Sequence, residues 1–200
     1  MNKSSLRLWI VFYCLWFSGC STLPKSLPLT DTQRPSELTQ WQMRGKLAVI
    51  TPDERRAVNF FWQRNDAIYQ TVITTSLGIN VLSAKRNQSG LELTADGQTY
   101  ASNVPEQLIL ELTGWQLPID QLNHWLIADV REEDGVVSKN DQGVITEFMP
   151  TCFVIDKQTC PTPMRVTYSD YRKVNKVSLP HRITLIMGAQ TFRLKVSGWN

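Results

Sequence analysis

Across 200 residues the chain has only two histidines, His124 and His181. A serine or cysteine nucleophile therefore has few bases to work with. There is no Gly-x-Ser-x-Gly elbow, phosphate loop, dinucleotide fingerprint or His-Glu-x-x-His pair. His124 sits beside Trp125 on a helical pattern and His181 follows Pro180 at a strand start; both read as surface or helix-face residues. Glu132, Glu133 and Asp134 cluster in a polar stretch and read as a solvated loop rather than a catalytic pair or calcium site. Arg55-Arg56 in "TPDERRAV" reads as a turn flank. The sequence supports no enzyme, and no cofactor or metal is expected.

A long apolar run is also missing. The longest spans residues 8–17, ten positions behind Lys3 and Arg7. A membrane-crossing helix needs roughly 20 residues, but a secretory h-region needs no more than this. Small residues, Ser18 and Gly19, close the run immediately before Cys20. This pattern resembles the lipobox of bacterial lipoproteins, which implies that Cys20 becomes the acylated first residue of the mature chain. Phe17 departs from the box, which usually carries Leu there. The competing reading is an ordinary signal peptide, residues 1–19, with a chance cysteine.

Neither charge sign dominates. Removing Lys3 and Arg7 with the signal leaves 19 basic against 18 acidic residues, so nucleic acid is not an implied partner. Pro24, Pro28 and Pro35 punctuate residues 20–40, read as an extended tether. The rest, 41–200, suits one domain. Cysteine is scarce: Cys152 and Cys160 bracket "CFVIDKQTC", either as a disulfide suited to an oxidising compartment or as free thiols. Their spacing does not match zinc pairs.

What is present is alternation. Trp41, Met43, Gly45, Leu47 and Val49 alternate with Gln42, Arg44, Lys46 and Ala48. Val58, Phe60 and Trp62 alternate with Asn59, Phe61 and Gln63. Strand-like runs follow at 68–73, 79–84 and 91–95, with an Asp96-Gly97 hairpin signal and a return at 98–101. At Asn103-Val-Pro-Glu106 the period changes. Leu108, Ile109 and Leu112 follow at helical spacing with Gly114 as a stop, and a second short helix near Pro118 carries Leu122, Trp125 and Leu126. A loop is expected over 131–141. Strands resume at 144–149, 152–155, 164–168, 182–187 and 190–196. The order predicts a mainly β protein: one antiparallel sheet of about ten or eleven strands that must curl. Two amphipathic helices would cover its apolar concave face. The cavity lining is predicted as Met43, Leu47, Val49, Phe60, Trp62 and Val72, with Leu108, Leu112, Leu122 and Leu126 from the helices. Leu77 and Gly78 stand where a turn should be polar. Leu77 either tucks back onto the domain or contacts something outside it.

The segments "WQMRGKLAV", "FFWQ", "SLG", "LTADGQTYA", "LTGWQLPIDQLNHWL" and "FRLKVSGW", in this order after the lipobox, resemble the outer-membrane lipoprotein receptor LolB family. The resemblance covers most of the mature chain; residues 151–163 look like a local elaboration. It implies an unclosed antiparallel β-barrel with a helical lid over an apolar cavity. It implies a monomeric receptor, anchored through Cys20 in the inner leaflet of the outer membrane and facing the periplasm. Such a receptor takes triacylated lipoprotein cargo from the carrier LolA and inserts it in that membrane. It also implies that Leu77 delivers cargo to the membrane. Ser21, not Asp, follows Cys20, which fits outer-membrane destination. The alternatives are a scaffold lipoprotein that binds another envelope protein and, less well supported by the residues, a lipid hydrolase.

Overall fold

The computed structural model describes residues 34–113, 117–151 and 163–200. The signal, Cys20, most of the tether, Gly114, the 152–155 run and both mature cysteines lie outside the described residues.

Eleven strands form a single antiparallel sheet: β1 (Gln40–Ile50), β2 (Arg55–Asn65), β3 (Ile68–Thr74), β4 (Asn80–Asn87), β5 (Gly90–Ala95), β6 (Gln98–Ser102), β7 (Gly135–Lys139), β8 (Ile145–Pro150), β9 (Met164–Val174), β10 (Val177–Met187) and β11 (Gln190–Trp199). Their lateral order is β6-β5-β4-β3-β2-β1-β11-β10-β9-β8-β7. The first and last strands therefore meet in the middle, where β1 pairs with β11, and the outer edges β6 and β7 stay unjoined. Between those edges in sequence lie α1 (Pro105–Thr113) and α2 (Ile119–Trp125). The chain leaves one edge, crosses the concave side as two helices and arrives at the other.

Alternation puts one parity inward. Met43 opposes Trp62, Leu47 opposes Val58, and Ile73 opposes Leu82, all on the concave side. The β1–β11 seam carries a register shift at Arg44/Gly45. Any Cβ at Gly45 would collide with the Lys195 carbonyl, so the close approach of the two strands there requires glycine. Aromatic pairs consolidate the core: Trp41 meets Trp199 edge-on at 5.7 Å, Trp62 stacks on Tyr69 at 5.6 Å, and Trp125 meets Phe148 edge-on at 5.6 Å. Such pairs contribute about 0.5–1.5 kcal/mol beyond simple burial. Every strand and helix among the described residues falls within residues 35–199.

Three expectations change. The loop expected over 131–141 contains β7, a short edge strand whose exposed Val136 and Lys139 obscure alternation. The packed domain starts before residue 41: Pro35–Glu37 forms a 3-10 turn and Leu38 is fully buried. That turn lies against β10, which explains the third change. Leu179, Pro180 and His181 are consecutive yet all buried, because both faces of β10 are covered there. His181 is thus a core residue, its Nδ1 lying 3.2 Å from the Leu179 carbonyl oxygen.

Candidate functional site

Beneath the helices the concave face of the sheet borders a cavity of about 140 Å³. Its walls come from Leu47, Phe60, Trp62, Ile73, Leu82 and Leu93, its far side from Ile183, Leu185, Phe192 and Leu194, and its cover from Ile109, Ile119, Leu122, Trp125 and Leu126. Two polar groups in its lining are already engaged. Thr71 Oγ1 donates to the Phe61 carbonyl at 3.0 Å, and the Trp62 indole N–H donates to Asn123 Oδ1 at 3.0 Å. What faces the space is hydrocarbon. An apolar cavity of about 150 Å³ stays dry and takes a benzene-sized guest.

Of the lining residues expected from sequence, Leu47, Phe60, Trp62, Leu122 and Leu126 border this cavity. Met43 and Leu108 are buried in the core without bordering it, and Val49 is half-buried against the core. Two placements are corrections. Val72 pairs with Phe61, an outward residue between the inward Phe60 and Trp62, so Thr71 and Ile73 take the cavity positions on β3. The stretch Thr71-Val-Ile-Thr74 has apolar residues on both parities, so alternation alone cannot orient it. Leu112 is 38% exposed, because α1 turns Leu108 and Ile109 inward instead. The far-side residues of β10 and β11 follow the same period-2 signal and could have been found by extending it.

A polar seam fastens α2 to the wall. Asp120 accepts from Tyr69 Oη at 2.9 Å and lies 3.5 Å from Arg86 Nε. Burial pushes the Tyr69 phenol far up, and the neighbouring Asp120 carboxylate adds to it. On α1, burial raises the Glu106 carboxyl above its usual range, with Asp120 contributing repulsion. On α2, the exposed His124 Nδ1 lies 2.8 Å from Asp129 Oδ2. The acidic cluster is internally matched: Arg131 reaches Glu133 and Asp134, and Lys139 reaches Glu132. Among the described residues no group of His, Cys, Asp and Glu has the arrangement of a metal site.

The β3–β4 loop lies apart from the cavity. Leu77 at its tip is 85% exposed, and Ile79 is exposed as well. The loop is held in shape: Gly78 N–H donates to the Thr75 carbonyl at 3.0 Å, Thr75 N–H to the Ile79 carbonyl at 2.8 Å, and Asn59 Nδ2 to the Thr75 carbonyl at 3.0 Å. Gly78 has φ of +83°. Leu77 therefore does not fold back onto the domain.

An unclosed antiparallel sheet curled around a hydrocarbon-lined hollow, with helices laid across its open side, defines a half-barrel with a helical cover. Its fold is shared by the crystal structure of an outer membrane lipoprotein-sorting protein domain from Vibrio parahaemolyticus, with a TM-score of 0.50 at 9% identity over 80% of this chain and 84% of that one. Residues 39–199 match the family described as Outer membrane lipoprotein LolB, and the chain belongs to that family. Among curated relatives, the outer-membrane lipoprotein LolB of Shewanella baltica (strain OS155) is 28% identical over 204 aligned residues, covering all of this chain and 91% of the relative. That of Shewanella woodyi is 26% identical over 193 residues, covering 96% and 87%.

Proposed function

We propose that this outer-membrane lipoprotein receives triacylated lipoproteins from a LolA-like periplasmic carrier, shelters their acyl chains against the concave sheet and releases them into the outer membrane. The observation that carries the reading is the cavity's hydrocarbon lining, in which the Thr71 hydroxyl and the Trp62 indole N–H are already paired. Burying a methylene is worth about 0.8 kcal/mol, so three acyl chains amount to tens of kcal/mol. Such cargo does not cross water unaided. Transfer runs downhill from carrier to receptor and then into lipid.

About 140 Å³ accommodates a benzene-sized fragment, not a whole acyl chain. On this reading the helices lift or slide as cargo arrives and widen the space. The seam from Trp62, Tyr69 and Arg86 to α2 is what that movement must break. Hydrogen bonds of this kind contribute about 1 kcal/mol each, far less than an acyl chain returns on burial. Cys20 would supply the membrane anchor. Leu77 yields only about 1.5–3 kcal/mol on burial in lipid, too little to hold the protein but enough to set the groove against the bilayer.

A transfer assay tests this. The chain beginning at Ser21 is mixed with lipoprotein-loaded carrier, and cargo is followed to the receptor and then to vesicles. The expected result is uptake by the wild type and by Leu77→Glu, with delivery to vesicles lost only in the variant. No uptake, together with no binding of a fluorescent fatty acid, would favour the scaffold reading.

A further inference from the structure

The outward face of the sheet carries an arrangement that the cavity does not use. Lys46 on β1 stands directly opposite Lys195 on β11, and Lys195 directly opposite Arg182 on β10. All three alternate with inward residues and are exposed, as is Arg193, two positions from Lys195 on the same face. Directly opposed like charges destabilise a sheet, so this row costs the fold something. Arg182 has Asp170 at 3.7 Å. Lys46, Lys195 and Arg193 have no carboxylate partner among the described residues. The matched acidic cluster at 132–134 lies by β7, at the far edge of the sheet.

The row has a direction. From Lys46 the same face continues to Asn59 on β2, then Thr74 on β3, then Asn80 on β4. Asn59 and Thr74 flank the loop that presents Leu77 and Ile79, and Asn59 is hydrogen-bonded into it. Two strand spacings, about 10 Å, separate Lys46 from Thr74. Exposed aliphatic side chains beside unpaired lysines on long flexible stems are the combination that binds a charged membrane interface. An acidic protein would explain the cations but not their continuity with an apolar tip.

We propose that Lys46, Lys195, Arg193 and Arg182 form a headgroup-binding surface for anionic phospholipid, the electrostatic half of a membrane contact whose apolar half is the Leu77 loop. This rests on the reading that the loop touches the outer membrane, and it names the lipid class that the contact selects. Each cation near an anionic bilayer is worth about a five-fold gain in partitioning at moderate ionic strength.

The test uses the chain from Ser21, which retains every strand and helix of the described residues, and measures co-sedimentation with phosphatidylcholine vesicles with and without phosphatidylglycerol. The wild type is expected to bind the phosphatidylglycerol vesicles more tightly, with the difference fading at high salt. Lys46→Gln with Lys195→Gln should weaken that binding about 25-fold and leave phosphatidylcholine binding unchanged. Arg193→Gln alone should weaken it about five-fold by the same arithmetic. Removing opposed like charges should not lower the melting temperature, so folding is checked on the same samples. Equal wild-type binding to both vesicle types would overturn the proposal and leave the row to an acidic protein surface. So would a double variant that binds as the wild type does. Cargo transfer into pure phosphatidylcholine is scored separately: its failure strikes the receptor reading, whereas loss of the phosphatidylglycerol preference strikes only this one.

Discussion

The indole N–H of Trp62 on β2 donates to Oδ1 of Asn123 on α2 at 3.0 Å, joining wall to cover across 61 positions of sequence. Asn123 in turn donates from Nδ2 to the Asp120 carbonyl at 3.2 Å, so its side chain is held at both ends. Asp120 lies three residues earlier on the same helix face and takes the Tyr69 hydroxyl. One flank of α2 is thus polar and tied to β2–β4, while Ile119, Leu122 and Leu126 turn to the cavity. Asn123→Ala should leave the buried Trp62 N–H unpaired and cost about 1–3 kcal/mol in urea unfolding. Trp62→Phe removes the donor and thins the wall, so the double variant should lose less than the two single losses combined. Additive losses would show that the pair is not coupled.

Glu106 gives the cover a pH dependence with a definite sign. Its folded-state pKa is raised, chiefly by burial, with Asp120 adding repulsion and its own backbone hydrogen bond opposing the shift. A carboxyl shifted upward favours the fold while protonated; that contribution is complete below the unfolded value of about 4.3 and is lost as pH rises through the folded value. Glu106→Gln should therefore melt at a higher temperature than the wild type near neutrality, and the gap should close on acidification. A gap independent of pH would remove burial of the charge as its cause.

Where one face of an element is buried and the other wet, the sequence was easy to read. Phe192, Leu194 and Val196 against Arg193 and Lys195 give β11 and its orientation directly, and β1 and β2 read likewise. The family motifs carry the rest of the architecture. Legibility fails where both parities are apolar or both faces are covered. Val72 and Ile73 are equally suited to the inside, and only pairing to Phe61 and Phe60 decides between them. His181 shares the inward parity of Leu179 and Ile183, but a polar ring directly after a proline carries no local sign of burial. The Tyr69–Asp120 and Trp62–Asn123 ties depend on where α2 lands, and helix placement across a sheet is a tertiary outcome. The basic row was invisible for a related reason: Lys46, Arg182 and Lys195 become neighbours only through strand register.

That register at β3 can be tested directly. Ile73→Asp places a carboxylate in a dry hydrocarbon wall, where an unpaired charge is strongly unfavourable, and should cost about 3 kcal/mol or more, or prevent folding. Val72→Asp puts the same group on the outward, half-exposed face and should cost far less. Urea unfolding of the two variants compares them under one condition. Similar losses at both positions would contradict the assignment of Ile73 to the cavity.

The final prediction concerns the shape of the β3–β4 loop rather than its chemistry. Gly78 holds φ at +83°, and a Cβ there would meet nothing within 4 Å. Alanine at this position is therefore opposed by backbone strain alone, about 1–2 kcal/mol for a left-handed residue. The fold can escape that strain by letting the exposed loop rearrange, because Leu77 and Gly78 make no side-chain contact with the core cluster. Gly78→Ala should thus leave the global melting temperature nearly unchanged while loosening the turn that presents Leu77. In the transfer assay it should take up cargo as the wild type does and deliver it more slowly, falling between the wild type and Leu77→Glu. Leu77→Glu itself should fold within about 0.5 kcal/mol of the wild type, as expected for a surface substitution. Delivery by Gly78→Ala at the wild-type rate would mean that an exposed leucine suffices in any conformation, and that the hydrogen bonds ordering residues 75–79 serve only the fold.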